Sequence, residues 1–338
     1  MTIQDAIAKV ITSTDLEREE AAETLKRIMT GECTPSQIAG LLVALRMKGE
    51  TVEEITGFAS TMRELSTKVT THRYPMVDTC GTGGDASGSF NISTTSAFVV
   101  AGAGVAVAKH GNRSASSLCG SADVLEALGA NILLEPEQVG TCIDEVGIGF
   151  LFARSLHEAM KHVAASRMEL KTRTVFNLLG PLTNPANADR QVIGVFDADR
   201  VKDLAQVLTN LGTKHAFVVA GMDGLDELTL DGPTLVAESK DGVVTTSEIT
   251  PDEVGLPSSS KDALVGGDAD RNAQILSEVL SGASGAPRDI VLFNAAAALI
   301  AADVANDWQS GIEAARASID SGKAHDVFDA FTSFTNNQ

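Results

Sequence analysis

Apolar positions recur every three or four residues through the first part of the chain. Ile38, Leu41, Leu42 and Leu45 hold the i, i+3, i+4, i+7 spacing of a helix that buries one face. Helix-start signatures accompany this period. Thr14 with Glu17, Thr34 with Gln37 and Thr51 with Glu54 each set a hydroxyl cap three residues before a side chain able to cap it in return. Pro35 suits a first helical turn, and Gly31 and Gly49 stand where helices end. A small helical domain without strands is expected over 1–70.

From Tyr74 the period changes. Short apolar runs at Met76 to Val77, Val105 to Ala108, Gly149 to Phe152, Val192 to Phe196 and Ala216 to Ala220 alternate with helix-length segments, which predicts parallel β–α units. A long helix is expected from Ser155 to Leu170. The stretch Asn177 to Ala188, rich in Gly, Pro and Asn, reads as a hinge where the chain crosses back to the helical unit. The expected fold class is therefore α/β: a small helical domain over 1–70, with a return segment near 155–188, and a large α/β domain over 74–154 and 189–338.

Composition narrows the possible roles. The 338 residues suffice for roughly two domains. With 26 Lys+Arg against 45 Asp+Glu, the net charge of -19 argues against a protein whose main task is to wrap nucleic acid or anionic lipid. The longest apolar run, Ala97 to Ala108, carries two glycines and falls short of the ~20 residues that span a bilayer. No transmembrane helix is expected. Met1 to Asp5 lacks the basic and apolar regions of a signal peptide, so a cytoplasmic enzyme is expected. Cys33, Cys80, Cys119 and Cys142 form no C-x-x-C pair, which removes the usual zinc spacing and predicts reduced thiols.

Three polar clusters carry candidate chemistry. The first, DTCGTGGDASGSFNIST from Asp78 to Thr94, follows a strand and precedes a helix. Gly81, Gly83 and Gly84 let the backbone approach a ligand and aim N–H groups at an anion, with phosphate the natural guest. A plain glycine-rich turn is the bland alternative. Gly81, Gly83 and Ala86 also satisfy G-x-G-x-x-A, but the helix does not open at once and no acidic residue follows ~20 positions on, as a dinucleotide site requires. The Walker A pattern is absent. The second cluster, KHGNRSASS from Lys109 to Ser117, again ends a strand, and Lys109, Arg113, Asn112 and the hydroxyls suit a second phosphate contact. Ser121 is expected to cap a helix from Ala122 to Leu128, closed by Gly129. The third, DGLDE from Asp223 to Glu227, reads equally as a turn before a helix or as carboxylates that hold a divalent cation against a pyrophosphate.

Taken together, DTCGTGGD, NIST, KHGNR with SS, GSADVLEALG, GPLTNP (Gly180 to Pro185), DGLDE and ALRMKGET (Ala44 to Thr51) closely resemble the anthranilate phosphoribosyltransferases, in order and over nearly the whole chain. The resemblance implies a helical domain joined to an α/β domain of the nucleoside-phosphorylase type, and a homodimer formed through the helical one. It implies pentosyl transfer from phosphoribosyl pyrophosphate to the amine of anthranilate in tryptophan biosynthesis, with Mg²⁺. By matched motif, Gly81, Gly84, Asp85, Ser89, Asn91, Ile92, Ser93, Thr94, Lys109, His110, Gly111, Asn112, Arg113, Ser114, Ala115, Ser116, Ser117 and Ser121 surround the donor. Gly81, Asn112, Arg167, His110, His157 and Pro181 meet anthranilate, and Ser93, Asp226 and Glu227 hold the metal. No residue is assigned as acid or base. Read without the resemblance, Arg167 is an exposed or ion-paired arginine. The chain departs from the family pattern at Ala86, where glycine is frequent, and at Ala220, where histidine commonly precedes the acidic motif's glycine. The alternatives are a pyrimidine nucleoside phosphorylase of the same fold and a non-catalytic nucleic-acid-binding relative, which calls for a basic surface.

Overall fold

Capping chemistry starts two helices where the sequence places them. The Thr34 hydroxyl accepts the Gln37 N–H and the Gln37 amide accepts the Thr34 N–H at 2.9 Å, and Thr51 and Glu54 repeat the exchange with a return bond of 2.8 Å. The computed structural model describes residues 1–114 and 118–338. Its first helices are α1 (Ile3–Val10), α2 (Arg18–Met29), α3 (Pro35–Lys48) and α4 (Val52–Leu65). The expected cap at Thr14 is corrected. Helix α2 starts at Arg18, and its box is built by Glu17 and Glu20, whose carboxylate is held by Lys9 at 2.6 Å and takes the Glu17 N–H at 2.9 Å.

One seven-stranded sheet follows: β1 (Met76–Gly81), β2 (Ala106–Gly111), β3 (Ile148–Phe152), β4 (Arg190–Gly194), β5 (His215–Gly221), β6 (Thr234–Lys240) and β7 (Val243–Ile249). The order is β3-β2-β1-β4-β5-β6-β7, with the first five strands parallel and the last two antiparallel. Strands β1 to β5 correspond to the five expected runs. The β6–β7 hairpin is an addition, turned by Asp241 and Gly242 at φ 50 and 81, the pair of left-handed residues that a two-residue turn between twisted strands requires. Succession outward from β1 reverses between β1 and β4, so the carboxyl ends of these two strands bound the switch point where open α/β sheets bind ligands.

Helices α5 (Ile92–Gly102), α6 (Ser121–Ala127), α7 (Pro136–Val146), α8 (Ala153–Leu156), α9 (Lys161–Leu170), α10 (Phe176–Leu179), α11 (Val201–Asn210), α12 (Ala269–Leu280), α13 (Ala286–Ala301), α14 (Trp308–Asp320) and α15 (Lys323–Asn336) cover the sheet. One apolar core joins α5 and α12 to α15 to one sheet face. A second runs from α1 to α4 through α9 and α11 to β4 and β5. The single helix expected from Ser155 to Leu170 is broken. His157, at φ -120 and ψ 60, leaves helical geometry between α8 and a short 3-10 turn that leads into α9. Helix α9 then packs on α2 and α3, and the Ser166 hydroxyl donates to the Pro35 carbonyl at 3.2 Å. Among the described residues no helix is long and apolar enough to cross a membrane.

Candidate active site at the carboxyl edge of the sheet

Two glycines open the switch point. Gly81 ends β1 opposite Gly194, which ends β4. A Cβ on Gly81 would stand 2.6 Å from Asp226 Oδ2, and one on Gly194 would collide with the Asp226 carbonyl oxygen. The loop after β5 therefore lies directly across both strand ends, and side-chain-free backbone is the condition for that approach. Asp226 Oδ2 accepts the Gly83 N–H at 2.8 Å and fastens the loop there. Gly83, Gly84 and Ala86 all take left-handed backbone, φ 66, 79 and 56. Alanine at the third position bears strain of about 1–2 kcal/mol that glycine would not, which gives the departure at Ala86 a physical meaning.

Around Asp226 the charges do not balance. Its carboxyl is raised well above the usual range, first by burial and then by the charges of Asp85 and Glu227. Burial likewise pushes Glu227 up to about 7, against the pull of Lys109 and of the Ser93 N–H and hydroxyl. Asp85 lies against Asp226, and its buried Oδ2 has no donor among the described residues. Half-buried carboxylates this short of positive charge and donors, together with a hydroxyl, suit a hard divalent cation that takes oxygen ligands. Lys109 is buried: its Nζ donates to the Thr79 carbonyl and lies 3.5 Å from Ser93 Oγ, while Thr79 Oγ1 donates to the Ser93 carbonyl at 3.1 Å. Gly81, Asp85, Ser93, Lys109, Asp226 and Glu227 are thus one cluster. The DGLDE segment opens no helix, which removes the helix-start reading of its acidic residues.

Alternation along β2 sends His110 to the other sheet face. There it meets His157, ring centroids 5.3 Å apart, and burial pushes the two imidazoles down to about 3 and about 4. Both are neutral near pH 7. The floor beneath them is polar and fully buried: Asn184 Nδ2 donates to Asp78 Oδ2 and to the Ala108 carbonyl, each at 2.8 Å, and Asp78 Oδ1 accepts the His110 backbone N–H at 3.0 Å. Gln191 holds the carbonyl of buried Pro181 at 2.8 Å.

The remaining expected residues are placed as follows. Ile92 and Thr94 are buried on α5, so they face a ligand only through backbone at its N-terminus. The Asn91 amide is engaged by Asn272 at 3.0 Å and by Cys119. Ser89 pairs with Val265 through its backbone, and its hydroxyl lies 3.1 Å from that of Ser87. Asn112, exposed, receives the Arg113 N–H on Oδ1 at 2.8 Å. Arg113 is drawn onto α6, bonded to Asp123 at 2.9 Å and to Glu126 through both terminal nitrogens, and the Ser114 N–H reaches Asp123 at 3.1 Å. Ser121 is corrected from cap to first helical residue. Gly120 is the N-cap, and the Ser121 hydroxyl instead accepts the Asn112 N–H at 3.1 Å, in space that only Gly111 leaves open. Ala115, Ser116 and Ser117 lie outside the described residues. Arg167 is half-buried over the Phe176 ring at 5.5 Å, with no ion pair among the described residues, so the ion-paired reading does not apply.

Arg173 and Gly194 are site residues that sequence reasoning missed. The Arg173 guanidinium lies 3.6 Å from the centroid of Phe196 and donates to the Gly84 carbonyl, which clamps the glycine loop from the far side. An arginine shortly before GPLTNP gave no periodic or spacing signal. Gly194 had one: a glycine inside the run from Val192 to Phe196 is a mark of close backbone approach.

Comparison with known proteins agrees with this geometry. Residues 73–325 match the glycosyl transferase family a/b domain, and residues 4–66 match the glycosyl transferase family helical bundle domain. The chain is 55% identical to the anthranilate phosphoribosyltransferase of Symbiobacterium thermophilum, over 97% of this chain and 96% of that one. The crystal structure of anthranilate phosphoribosyltransferase from Thermus thermophilus superposes with a TM-score of 0.93 at 46% identity, covering 98% of this chain and 99% of that one. The enzyme from Saccharomyces cerevisiae, in complex with PRPP and Mg, superposes with a TM-score of 0.89 at 27% identity, covering 99% and 98%.

Proposed function

The chain belongs to the anthranilate phosphoribosyltransferases, and from that premise we infer how its residues divide the work of transferring the phosphoribosyl group of phosphoribosyl pyrophosphate to the amine of anthranilate, a step of tryptophan biosynthesis that releases pyrophosphate. The observation that carries the assignment of roles is the charge-deficient cluster of Asp85, Asp226 and Glu227 beside the glycine loop.

Cleavage at C1 of the ribose leaves positive charge on the sugar and negative charge on the departing pyrophosphate. The donor set is Gly81, Gly84, Asp85, Ser89, residues 91–94, residues 109–117 and Ser121. Its backbone N–H groups and Lys109 bind the phosphates, and stabilisation grows as charge develops on the leaving group. Mg²⁺ held by Asp226, Glu227 and Ser93 would supply the neutralising charge on the pyrophosphate oxygens. The raised carboxyls of that trio support the assignment, as does the PRPP and Mg complex of the Saccharomyces cerevisiae relative.

The acceptor needs alignment more than activation. An aromatic amine is neutral near pH 7 and carries its own lone pair, so Arg167 orients the carboxylate, Asn112 orients the amine, and His110, His157 and Pro181 wall the pocket. Placement of this kind is worth ~7–11 kcal/mol. Neutral imidazoles and a half-buried guanidinium with no ion pair among the described residues suit a planar acid with one negative charge.

The division into a helical domain over 1–70 with a return segment near 155–188, and an α/β domain over 74–154 and 189–338, belongs to the same proposal. It draws support from the packing of α9 on α2 and α3. A homodimer through the helical domain is supported by Ile11, Val43 and Met47, exposed apolar side chains on that unit. A cytoplasmic location is supported by the reduced thiols of Cys33, Cys80 and Cys142. The test of the activity is direct: with phosphoribosyl pyrophosphate, Mg²⁺ and anthranilate, pyrophosphate release should match anthranilate consumed, and absence of turnover would sink the reading.

A further inference from the structure

We propose that Asp78, Cys80 and His110 form a binding site for a thiophilic divalent cation such as Zn²⁺ or Cd²⁺, separate from the oxygen-lined cluster around Asp226. The sheet builds it. Strands β1 and β2 run parallel with Met76 opposite Ala106, and the two-residue alternation carries Asp78, Cys80 and His110 onto the face shared by that pair, opposite to Lys109. A carboxylate oxygen of Asp78, the Cys80 sulfur and a His110 ring nitrogen all lie within 4.8 Å of one another. In a tetrahedral zinc site, bonds of about 2.0–2.3 Å separate ligand atoms by about 3.3–3.8 Å, so a contraction of about 1 Å closes the set.

A second observation points to a missing partner. His110 is 3% exposed, and its ring serves the Gly180 carbonyl with one nitrogen at most, so the other nitrogen is left without a hydrogen-bond partner among the described residues. Buried polar atoms in folded proteins are ordinarily satisfied, so a leftover imidazole nitrogen near a thiol and a carboxylate calls for a ligand. The surrounding contacts already resemble an outer shell. Asn184 and the His110 backbone N–H orient the Asp78 carboxylate at 2.8 and 3.0 Å and leave each oxygen a lone pair to offer. Sulfur and imidazole together select Zn²⁺ or Cd²⁺ over Mg²⁺, and carboxylate plus thiolate cancel the ion's charge. On binding, the Cys80 S–H bond breaks, its proton passes to solvent, and the sulfur lone pair forms the metal bond with no change of oxidation state. Cys80 is only half-buried, which leaves a way in. Occupation fixes the His110 ring and competes with anthranilate, a consequence that rests on the acceptor-pocket reading, whereas the site itself does not.

The test titrates the full chain with Cd²⁺ in excess Mg²⁺ and follows the ultraviolet thiolate-to-metal charge-transfer band. One equivalent should saturate the band and release a proton, Cys80→Ser should abolish it, and Cys33→Ser and Cys142→Ser should retain it. Absence of the band, or its survival in Cys80→Ser, overturns the proposal. Independently of any variant folding, X-ray absorption of the Zn²⁺-loaded protein should show one sulfur with nitrogen and oxygen neighbours, and a shell without sulfur or with several sulfurs overturns it. Binding without competition against anthranilate overturns the pocket consequence alone.

Discussion

Asp226 accepts the backbone N–H of Gly83 through Oδ2 at 2.8 Å, so the loop after β5 and the loop after β1 close on one another across the switch point of the sheet. Position matters here as much as charge. Gly194 and Gly81 clear the ground on which Asp226 sits, and a side chain on Gly194 must push the Asp226 backbone away. Gly194→Ala is expected to lower kcat/KM by roughly 100-fold, the scale of an ångström-sized misplacement of a catalytic group. Steady-state kinetics on a variant that keeps native circular dichroism checks it, and a loss of only a few-fold would show that the loop tolerates displacement.

Stability should depend on pH through the same cluster. Glu227 moves from an ordinary 4.5 to about 7 in the folded protein, and Asp226 also rises. The folded state therefore holds a proton more tightly than the unfolded chain. The contribution is fully present below 4.5 and is lost as pH rises through about 7. Without metal, thermal stability should decline across that window. Mg²⁺ should take the proton's place, so its addition should raise Tm by more at about pH 8 than at about pH 5, and Glu227→Gln should flatten the difference. Thermal melts across pH, with and without Mg²⁺, measure this, and an equal Mg²⁺ shift at both ends would contradict it.

Arg167 lies over Phe176 with no ion pair among the described residues, so its charge is available to a ligand. Arg167→Ala should raise KM for anthranilate by roughly 10- to 100-fold, the loss of a charge-assisted hydrogen bond, and change KM for phosphoribosyl pyrophosphate little. Equal effects on the two substrates would remove the assigned role.

Arg173 stacks on Phe196 and donates to the Gly84 carbonyl, so under the proposed donor assignment it acts through the glycine loop. Arg173→Ala should weaken phosphoribosyl pyrophosphate roughly tenfold while sparing anthranilate. Arg173→Lys should recover only part of that loss, because an ammonium does not reproduce a planar guanidinium on a ring face. Full rescue by lysine would reduce Arg173 to a bare charge.

Much of this was legible in the sequence, because local chemistry dictates it. The boxes at Thr34 and Thr51, the five parallel strands and the polar loops after β1 and β2 all follow from spacing and residue type. Other features depend on partners distant in sequence. Glu17 displaced Thr14 as a cap because Lys9, eleven residues before Glu20, holds the Glu20 carboxylate. Arg113 reads as a free cation until α6 brings Asp123 and Glu126 beneath it. The β6–β7 hairpin was readable and missed: Asp241-Gly242 between two β-rich runs is a strong hairpin signal. Arg173 was not readable at all, since its meaning depends on Gly84, 89 residues away.

The central claim is that Asp226 and Glu227 bring a cation to the pyrophosphate, and calorimetric titration of phosphoribosyl pyrophosphate into the protein with and without Mg²⁺ tests it most directly. In the unaltered chain Mg²⁺ should tighten donor binding by at least about tenfold, and in the Asp226→Asn, Glu227→Gln double variant that gain should vanish while the metal-free affinity stays the same or improves. A double variant that retains the full Mg²⁺ gain would contradict the account.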